Sequence, residues 1–276
     1  ASCIPAADGG AIALCAGSTP ESLGMCLQRC PDEGCAAGTS CVAGVCAPDS
    51  APSAQVTLDD SQRFQSLVGI GAAVGYTVDE IVQHPRKDAV LDAMFSGTGL
   101  SVLRLRNQYV SGGSDDLSRT AEIVAAAAER LGASPTLILN SASPPAALKA
   151  NGSTYCEGNP ETCTLTTLPD GSFDYAGLAS HWRASLNAYA LVGIEPDFIS
   201  IQNNPNWVPP VGDPNEACRF LPTEGTETVT TDAGDVEVRY PGYAEALEAV
   251  LGGLDGLGAA PRIVGPETTG FEEVAE

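Results

Sequence analysis

The chain has 276 residues, 43% hydrophobic and 17% charged, with a formal net charge of −22. That length allows one large domain or two ordinary ones. The charge excludes nucleic acid and anionic membrane surfaces as partners and suits a neutral ligand, and it also serves to keep a secreted protein soluble.

The N-terminal region is set apart by cysteine. Seven of the ten cysteines fall in the first 46 residues: Cys3, Cys15, Cys26, Cys30, Cys35, Cys41 and Cys46. The segment CLQRCPDEGCAAGTSCVAGVC has almost no large apolar side chains, so burial cannot hold it together and cross-links must. It contains no histidine and no CxxC pair, which favours disulfides over zinc. Residues 1–48 are therefore read as a small disulfide-rich module, similar in composition to cysteine-rich modules at the N-termini of secreted bacterial proteins. The pairing stays open, and the odd cysteine needs a partner elsewhere. Residues 49–55, rich in Ser, Ala and Pro, are a linker.

Residues 56–276 have a different pattern. QSLVGIG (65–71), SVLRLR (101–106), TLILN (136–140), FISIQ (198–202) and RIVG (262–265) read as buried parallel strands. Between them lie helical stretches at 85–95, 115–132, 174–193 and 241–258, with Asp174 as an N-cap and Gly132 and Gly193 as C-terminal stops. Strand and helix in alternation predict an α/β fold: a (β/α)8 TIM barrel represented by about its first five βα units. A doubly wound open sheet is the competing architecture. The GIGAAVG run does not fit the dinucleotide GxGxxG spacing, and no helical run follows it directly. No apolar run is long enough to cross a membrane. The chain opens at Ala1 without a methionine and stops at GFEEVAE without a loop-like tail, so it is expected to be incomplete, at least at its C-terminus.

A barrel works at the C-terminal ends of its strands. Those ends read Gly71 to Gly75, Arg104 to Asn107, Asn140 to Ser143, Gln202 to Trp207 and Gly265 to Thr268. The set is rich in amides and contains arginines, a tryptophan and one carboxylate, Glu267. There is no histidine cluster, so no metal is expected, and no cofactor motif. His84 and His181 sit on helical stretches and are read as surface residues. No serine or cysteine nucleophile motif is present.

Five stretches, in order, resemble glycoside hydrolase family 30, a family of retaining hydrolases that includes xylanases and glucosylceramidases. FQSLVGIGAAVG resembles the family's opening strand. FSGTGLSVLRLRNQY resembles its second, with Arg104 at the family's arginine. SASPPAALKANGS resembles the third, and ISIQNNPNW the fourth, which in the family reads S-x-Q-N-E-P-D-W. EACRFLPTEG and IVGPETTGF resemble the following loop and the fifth strand. The resemblance implies a secreted or cell-surface O-glycosyl hydrolase acting on a β-linked polysaccharide such as xylan or glucuronoxylan, monomeric and without a cofactor. It places Asn204 at the general acid/base position, where the family has glutamate, and Asn206 at the family's aspartate. Ala142 and Ala147 stand where the family has tryptophans. The family's nucleophile lies on a strand that this sequence does not reach, so the chain as it stands is expected to be inactive.

Asn203 matches the residue that holds the sugar beside the scissile bond. Trp207 either stacks on a sugar face or packs as a core aromatic, and Arg104 either orders the site or serves a structural ion pair. Asn140 and Glu267 complete the expected substrate-binding set. Glu216 or Glu267 is the candidate substitute proton donor. Cys156 and Cys163 are expected to pair across the loop after the third strand, and Cys218 is open to pairing with that loop or with the cysteine-rich N-terminal region. Two other readings stay open: a non-catalytic carbohydrate-binding barrel, and a structural surface protein whose N-terminal module does the work.

Overall fold

The computed structural model describes residues 66–110, 117–231, 234–258 and 260–269, together with Cys35 and four short strands in the first 48 residues. The chain divides into two units, Ala1–Gln65 and Ser66–Glu276. In the first unit, β1 (Ala13–Cys15) pairs antiparallel with β2 (Cys26–Gln28), and β3 (Thr39–Val42) with β4 (Val45–Pro48). Cys35 is disulfide-bonded. The other cysteine pairings expected in this region, and the linker, lie outside the described residues.

The second unit is an α/β fold around one parallel sheet. Its strands are β5 (Gly71–Ala73), β6 (Val102–Arg106), β7 (Thr136–Asn140), β8 (Phe198–Ser200) and, after an excursion, β11 (Arg262–Ile263). They lie side by side in chain order, every neighbouring pair parallel. Strands β6 and β7 fall where the apolar runs predicted them. The first strand does not: 65–71 was expected, and the strand occupies Gly71–Ala73. Leu67, Val68 and Ile70 are instead 79%, 78% and 64% exposed. Apolar character alone marked this stretch as a strand, but among the described residues only the carbonyl of Ile70 reaches β6, accepting from Ser101 and Val102 N–H. Where pairing starts, glycine is required: a Cβ on Gly71 would sit 2.4 Å from the Val102 carbonyl oxygen.

One sheet face is covered by helices. Leu103, Leu105, Leu137, Leu139 and Ile199 point into it and are at most 5% exposed. Each such side chain contributes roughly 1.5–3 kcal/mol through burial. Alternation sends Arg104, Arg106, Asn140 and Ser200 to the opposite face. Helix α1 (Val78–Val82) follows β5 closely, contrary to the expectation that no helix would; α2 (Lys87–Leu91) then runs into a π-helical turn at Asp92–Gly97. Helix α3 (Ser118–Leu131) buries Thr120, Ile123 and Ala127. It stops at Gly132, whose φ of +69° is left-handed and favours glycine.

Helix α4 (Tyr175–Leu191) carries a broader stripe: Leu178, Ala179, Trp182, Ser185, Leu186 and Tyr189. The Asp174 carboxylate accepts from Gly177 N–H at 2.7 Å and caps it. Helix α5 (Tyr243–Gly253) packs beside α4. Between β8 and α5 lies an antiparallel hairpin, β9 (Gly225–Thr231) with β10 (Gly234–Tyr240), which the strand–helix reading did not include. No described helix is long and apolar enough to cross a membrane.

Candidate functional site

The polar row at the strand ends follows from register. Arg106 on β6 stands opposite Asn140 on β7, and Asn140 opposite Ser200 on β8. Arg104 lies two residues earlier on the same face. Beyond β8 the chain stays extended far enough for Asn203 to form an isolated parallel bridge with Glu267. Asn204 N–H donates to the Glu267 carbonyl at 2.8 Å, which fixes the segment after β11 against the end of β8. Gly265 permits the turn that brings Glu267 there: its φ is +145°, and a Cβ would lie 2.5 Å from the Tyr243 hydroxyl.

Glu267 is the hub. Its Oε2 accepts from Arg104 Nη2 at 3.1 Å, from Ser200 Oγ at 2.5 Å, and from Asn140 Nδ2. Arg104 Nη2 also donates to Asn203 Oδ1 at 2.8 Å. Arg104 therefore orders these groups and forms an ion pair at once. Asn140 is buried, while Arg104 and Glu267 keep 29% and 25% side-chain exposure. One carboxylate, one guanidinium, two amides and a hydroxyl thus converge on a partly open sheet face. Beneath them Gln202, fully buried, donates to the carbonyls of Ala142 and Asn203 at 2.8 and 2.9 Å and holds the Asn203 peptide in place.

Asn204 adjoins this group through its backbone. Its φ is +46°, a left-handed conformation that asparagine tolerates better than most residues. Its hydrogen bonds to described residues are backbone ones: the donation to Glu267, and its carbonyl accepting from Trp207 N–H at 3.1 Å. Trp207 is half-buried, and among the described residues that bond links it to the cluster's backbone. Asn206 Nδ2 donates to Thr269 Oγ1 at 2.9 Å, tying the same two segments further out.

A second ion pair stands beside the first. Arg106 bonds to Glu216, with side chains 26% and 11% exposed. The Tyr76 ring lies 4.8 Å from the Arg106 guanidinium carbon. Glu216, a candidate proton donor in the sequence, therefore spends a carboxylate oxygen on Arg106. Sequence reasoning missed Ser200 and Arg106 as partners in this row; the i, i+2 alternation after Arg104 and before Gln202 was the available signal.

His181 is not a surface residue. It is half-buried on α4, its ring 5.8 Å from that of Tyr109, and burial pushes its pKa down to about 4. The histidine falls on the inward side of a helix whose period also buries Leu178 and Ser185. His84 is exposed, in the connection between α1 and α2 rather than on a helix. Tyr243, beside Gly265, has its hydroxyl pKa raised to about 12 by burial and then by the Glu267 charge. Cys156 and Cys163 form a disulfide with Cα atoms 4.8 Å apart, whereas Cys218 is a buried free thiol. Among the described residues, no group of three His, Cys, Asp or Glu side chains could hold a metal ion.

No family model matches the chain, and no curated protein matches it in sequence. Solved structures do match in fold. The catalytic domain of the glycoside hydrolase family 30 xylanase C from Talaromyces cellulolyticus aligns over 77% of this chain and 49% of its own, at 18% identity and a TM-score of 0.54. The family 30 subfamily 8 xylanase Xyn30A from Clostridium acetobutylicum aligns over 77% and 45%, at 19% identity and a TM-score of 0.53. A conserved exported protein from Bacteroides fragilis aligns over 79% and 47%, at 15% identity and a TM-score of 0.55. The chain spans about half the length of these structures. In fold, it is similar to family 30 glycoside hydrolase catalytic domains over that half.

Proposed function

We propose that the second unit comprises the first five βα units of a (β/α)8 barrel and forms half of a saccharide-binding cleft of the family 30 type, specific for a β-linked polysaccharide such as xylan. The observation that carries this reading is the cluster of Arg104, Asn140, Ser200, Asn203 and Glu267 at the C-terminal end of the sheet, where barrels bind their substrates. Such a set of amide, hydroxyl, guanidinium and carboxylate groups matches the donors and acceptors of sugar hydroxyls. In this reading Asn203 and Glu267 hold the sugar, Trp207 flanks it, and Asn204 occupies the acid/base position. Residues 1–48 form a separate disulfide-rich module joined by the linker 49–55. The Cys156–Cys163 bond, the cysteine-rich start and the likeness to an exported protein support an extracellular location.

Retaining hydrolysis needs one carboxyl as nucleophile and another as acid and then base. An asparagine can donate a hydrogen bond to the glycosidic oxygen but cannot give it a proton. Its presence lowers turnover on sugar leaving groups by roughly 10²- to 10⁴-fold. The same residue favours the second reading, a barrel that binds saccharide without cleaving it.

Calorimetry with xylo-oligosaccharides and a reducing-sugar assay on xylan separate the cases. We expect measurable binding and little cleavage by the natural protein. Asn204→Glu raises cleavage about 10²-fold or more if the nucleophile is present, while the left-handed φ costs the variant roughly 1 kcal/mol of stability. Binding with no gain in cleavage supports the non-catalytic barrel. Absence of binding sinks both readings and leaves a structural surface protein.

A further inference from the structure

The start of helix α5 and the segments after β8 and β11 enclose a cavity of about 300 Å³. Pro205, Phe220, Leu221, Pro222, Leu247 and Pro266 supply most of its wall, and among the described residues no charged side chain lines it. Phe220 and Tyr243, both in that wall, belong to the apolar core shared with Leu139 and Ile199. The cavity therefore opens on the helix-covered side of the sheet, whereas the Glu267 cluster uses the opposite face. Its size is at the small end of ligand pockets, with room for one ring and a short substituent.

The walls are tied together by backbone bonds. Tyr243 N–H donates to the Leu221 carbonyl at 2.7 Å, and Ala244 N–H to the Pro222 carbonyl at 3.1 Å. Phe220 N–H donates to the Pro205 carbonyl at 2.7 Å. Three separate segments are thus held in place before any ligand arrives, which lowers the ordering cost of binding.

One polar atom decides the ligand. Tyr243 is 8% exposed, and its buried hydroxyl has no hydrogen-bond partner among the described residues. The hydroxyl lies against Gly265, a wall position with no side chain to cover it. Burial and then the Glu267 charge keep the phenol protonated at pH 7, so it retains a proton to donate. A buried donor without a partner carries a desolvation cost that a ligand bringing an acceptor removes. Asn206, at the same wall, is already engaged: its Nδ2 donates to Thr269 Oγ1 at 2.9 Å and its Oδ1 accepts from Thr269 N–H at 3.1 Å. A sugar, whose hydroxyls need several partners, is poorly served here. An anion meets no lining cation and a chain of −22.

We propose that this cavity binds a small neutral aromatic molecule with one hydrogen-bond acceptor, such as an aryl ketone. The ring packs among the prolines, Phe220 and Leu247, and the oxygen accepts from the Tyr243 hydroxyl. The site is separate from the Glu267 cluster and does not depend on the saccharide-binding reading.

The test is ligand-observed NMR titration of the whole chain with three probes: acetophenone, ethylbenzene, which matches its shape without the acceptor, and benzoate, which adds a charge. Acetophenone binds with a Kd of about 0.1 mM, ethylbenzene about tenfold more weakly, and benzoate not measurably. Tyr243→Phe keeps the ring and removes the donor, so acetophenone falls to the affinity of ethylbenzene, which is itself unchanged. Ala244→Trp fills the cavity from an exposed position on α5 and abolishes binding of both, with circular dichroism confirming that the two variants fold. Xylotriose in excess leaves acetophenone binding unchanged, whether or not it binds the cluster. Equal affinity for acetophenone and ethylbenzene in the natural protein, or an advantage for acetophenone that survives Tyr243→Phe, overturns the proposal. So does binding that survives Ala244→Trp, displacement by xylotriose, or no acetophenone binding at about tenfold the expected Kd.

Discussion

Replacing Glu267 by glutamine tests whether the cluster is held by one carboxylate. The substitution keeps the shape and removes the charge. Oε2 gathers donors from Arg104, Asn140 and Ser200, and an amide oxygen accepts all three less strongly while the amide nitrogen adds a donor among donors. Breaking a fully buried ion pair from one side costs about 3–5 kcal/mol, and an exposed one about 0.2–1 kcal/mol. The pair here is 29% and 25% exposed, so the cost falls between, at about 2 kcal/mol. For a unit of this size that corresponds to a fall in Tm of roughly 4–8 °C. Arg104→Ala costs less, because Glu267 retains Asn140 and Ser200 as donors. Urea denaturation of the two single variants and the double variant gives the coupling, expected at about 1–2 kcal/mol. The exposed Lys87–Glu122 pair is the control, where solvent screening should leave the two single losses additive. If Glu267→Gln lies within about 0.5 kcal/mol of the natural protein, or the two losses simply add, Glu267 does not organise the site.

Two further outcomes follow from buried groups. His181 is held neutral, its pKa depressed by burial to about 4 in the folded chain against roughly 6.5 when unfolded. The unfolded state then binds the extra proton first, so stability is complete above pH 6.5 and falls as pH drops toward 4, by up to about 3 kcal/mol. Urea midpoints across that window should decline less steeply in His181→Gln, and parallel curves would refute the assignment. The Cys218 thiol, fully buried, has its pKa pushed up to about 12 by burial, against the opposing pull of Lys149. Peptide mapping after iodoacetamide treatment should find it unmodified in the native chain and alkylated in urea; labelling at native conditions would show that the region opens.

How much was legible in the sequence depended on how many neighbours each element has. Strand β7, flanked on both sides and covered by helices, reads as an unbroken apolar run, and its limits match the predicted 136–140. Helix α4 declared both ends, through Asp174 and Gly193. The hairpin did not stand out because only Val238 and Tyr240 of its fourteen residues are buried. Its alternation, TETVTT and DVEVRY around a glycine, was present but consists mostly of polar residues, and a search for apolar runs passes over it. The candidate site was legible in type, as a polar set at strand ends, but not in pairing. Ser200 looks like filler inside FISIQ until the register sets it opposite Asn140. Likewise, nothing local links Arg106 to Glu216, 110 positions away.

The amide at position 204 fits this arrangement for an electrostatic reason. Asn204 and Glu267 leave from adjoining backbone, joined by a bond of 2.8 Å. A carboxylate at 204 would add a second negative charge on the backbone segment bonded to Glu267, whose Oε2 already engages Arg104. Like charges that close disfavour joint ionisation and push one group toward its protonated form. That is the condition a general acid requires at neutral pH. With asparagine the repulsion is absent and Glu267 keeps all its donors, so the cluster is balanced and well suited to hydrogen-bonding neutral hydroxyls. It also has no proton held in reserve. Asn204→Asp would introduce that conflict and should lower stability at neutral pH relative to the natural protein, a loss that shrinks as the pH falls and one carboxyl takes up a proton.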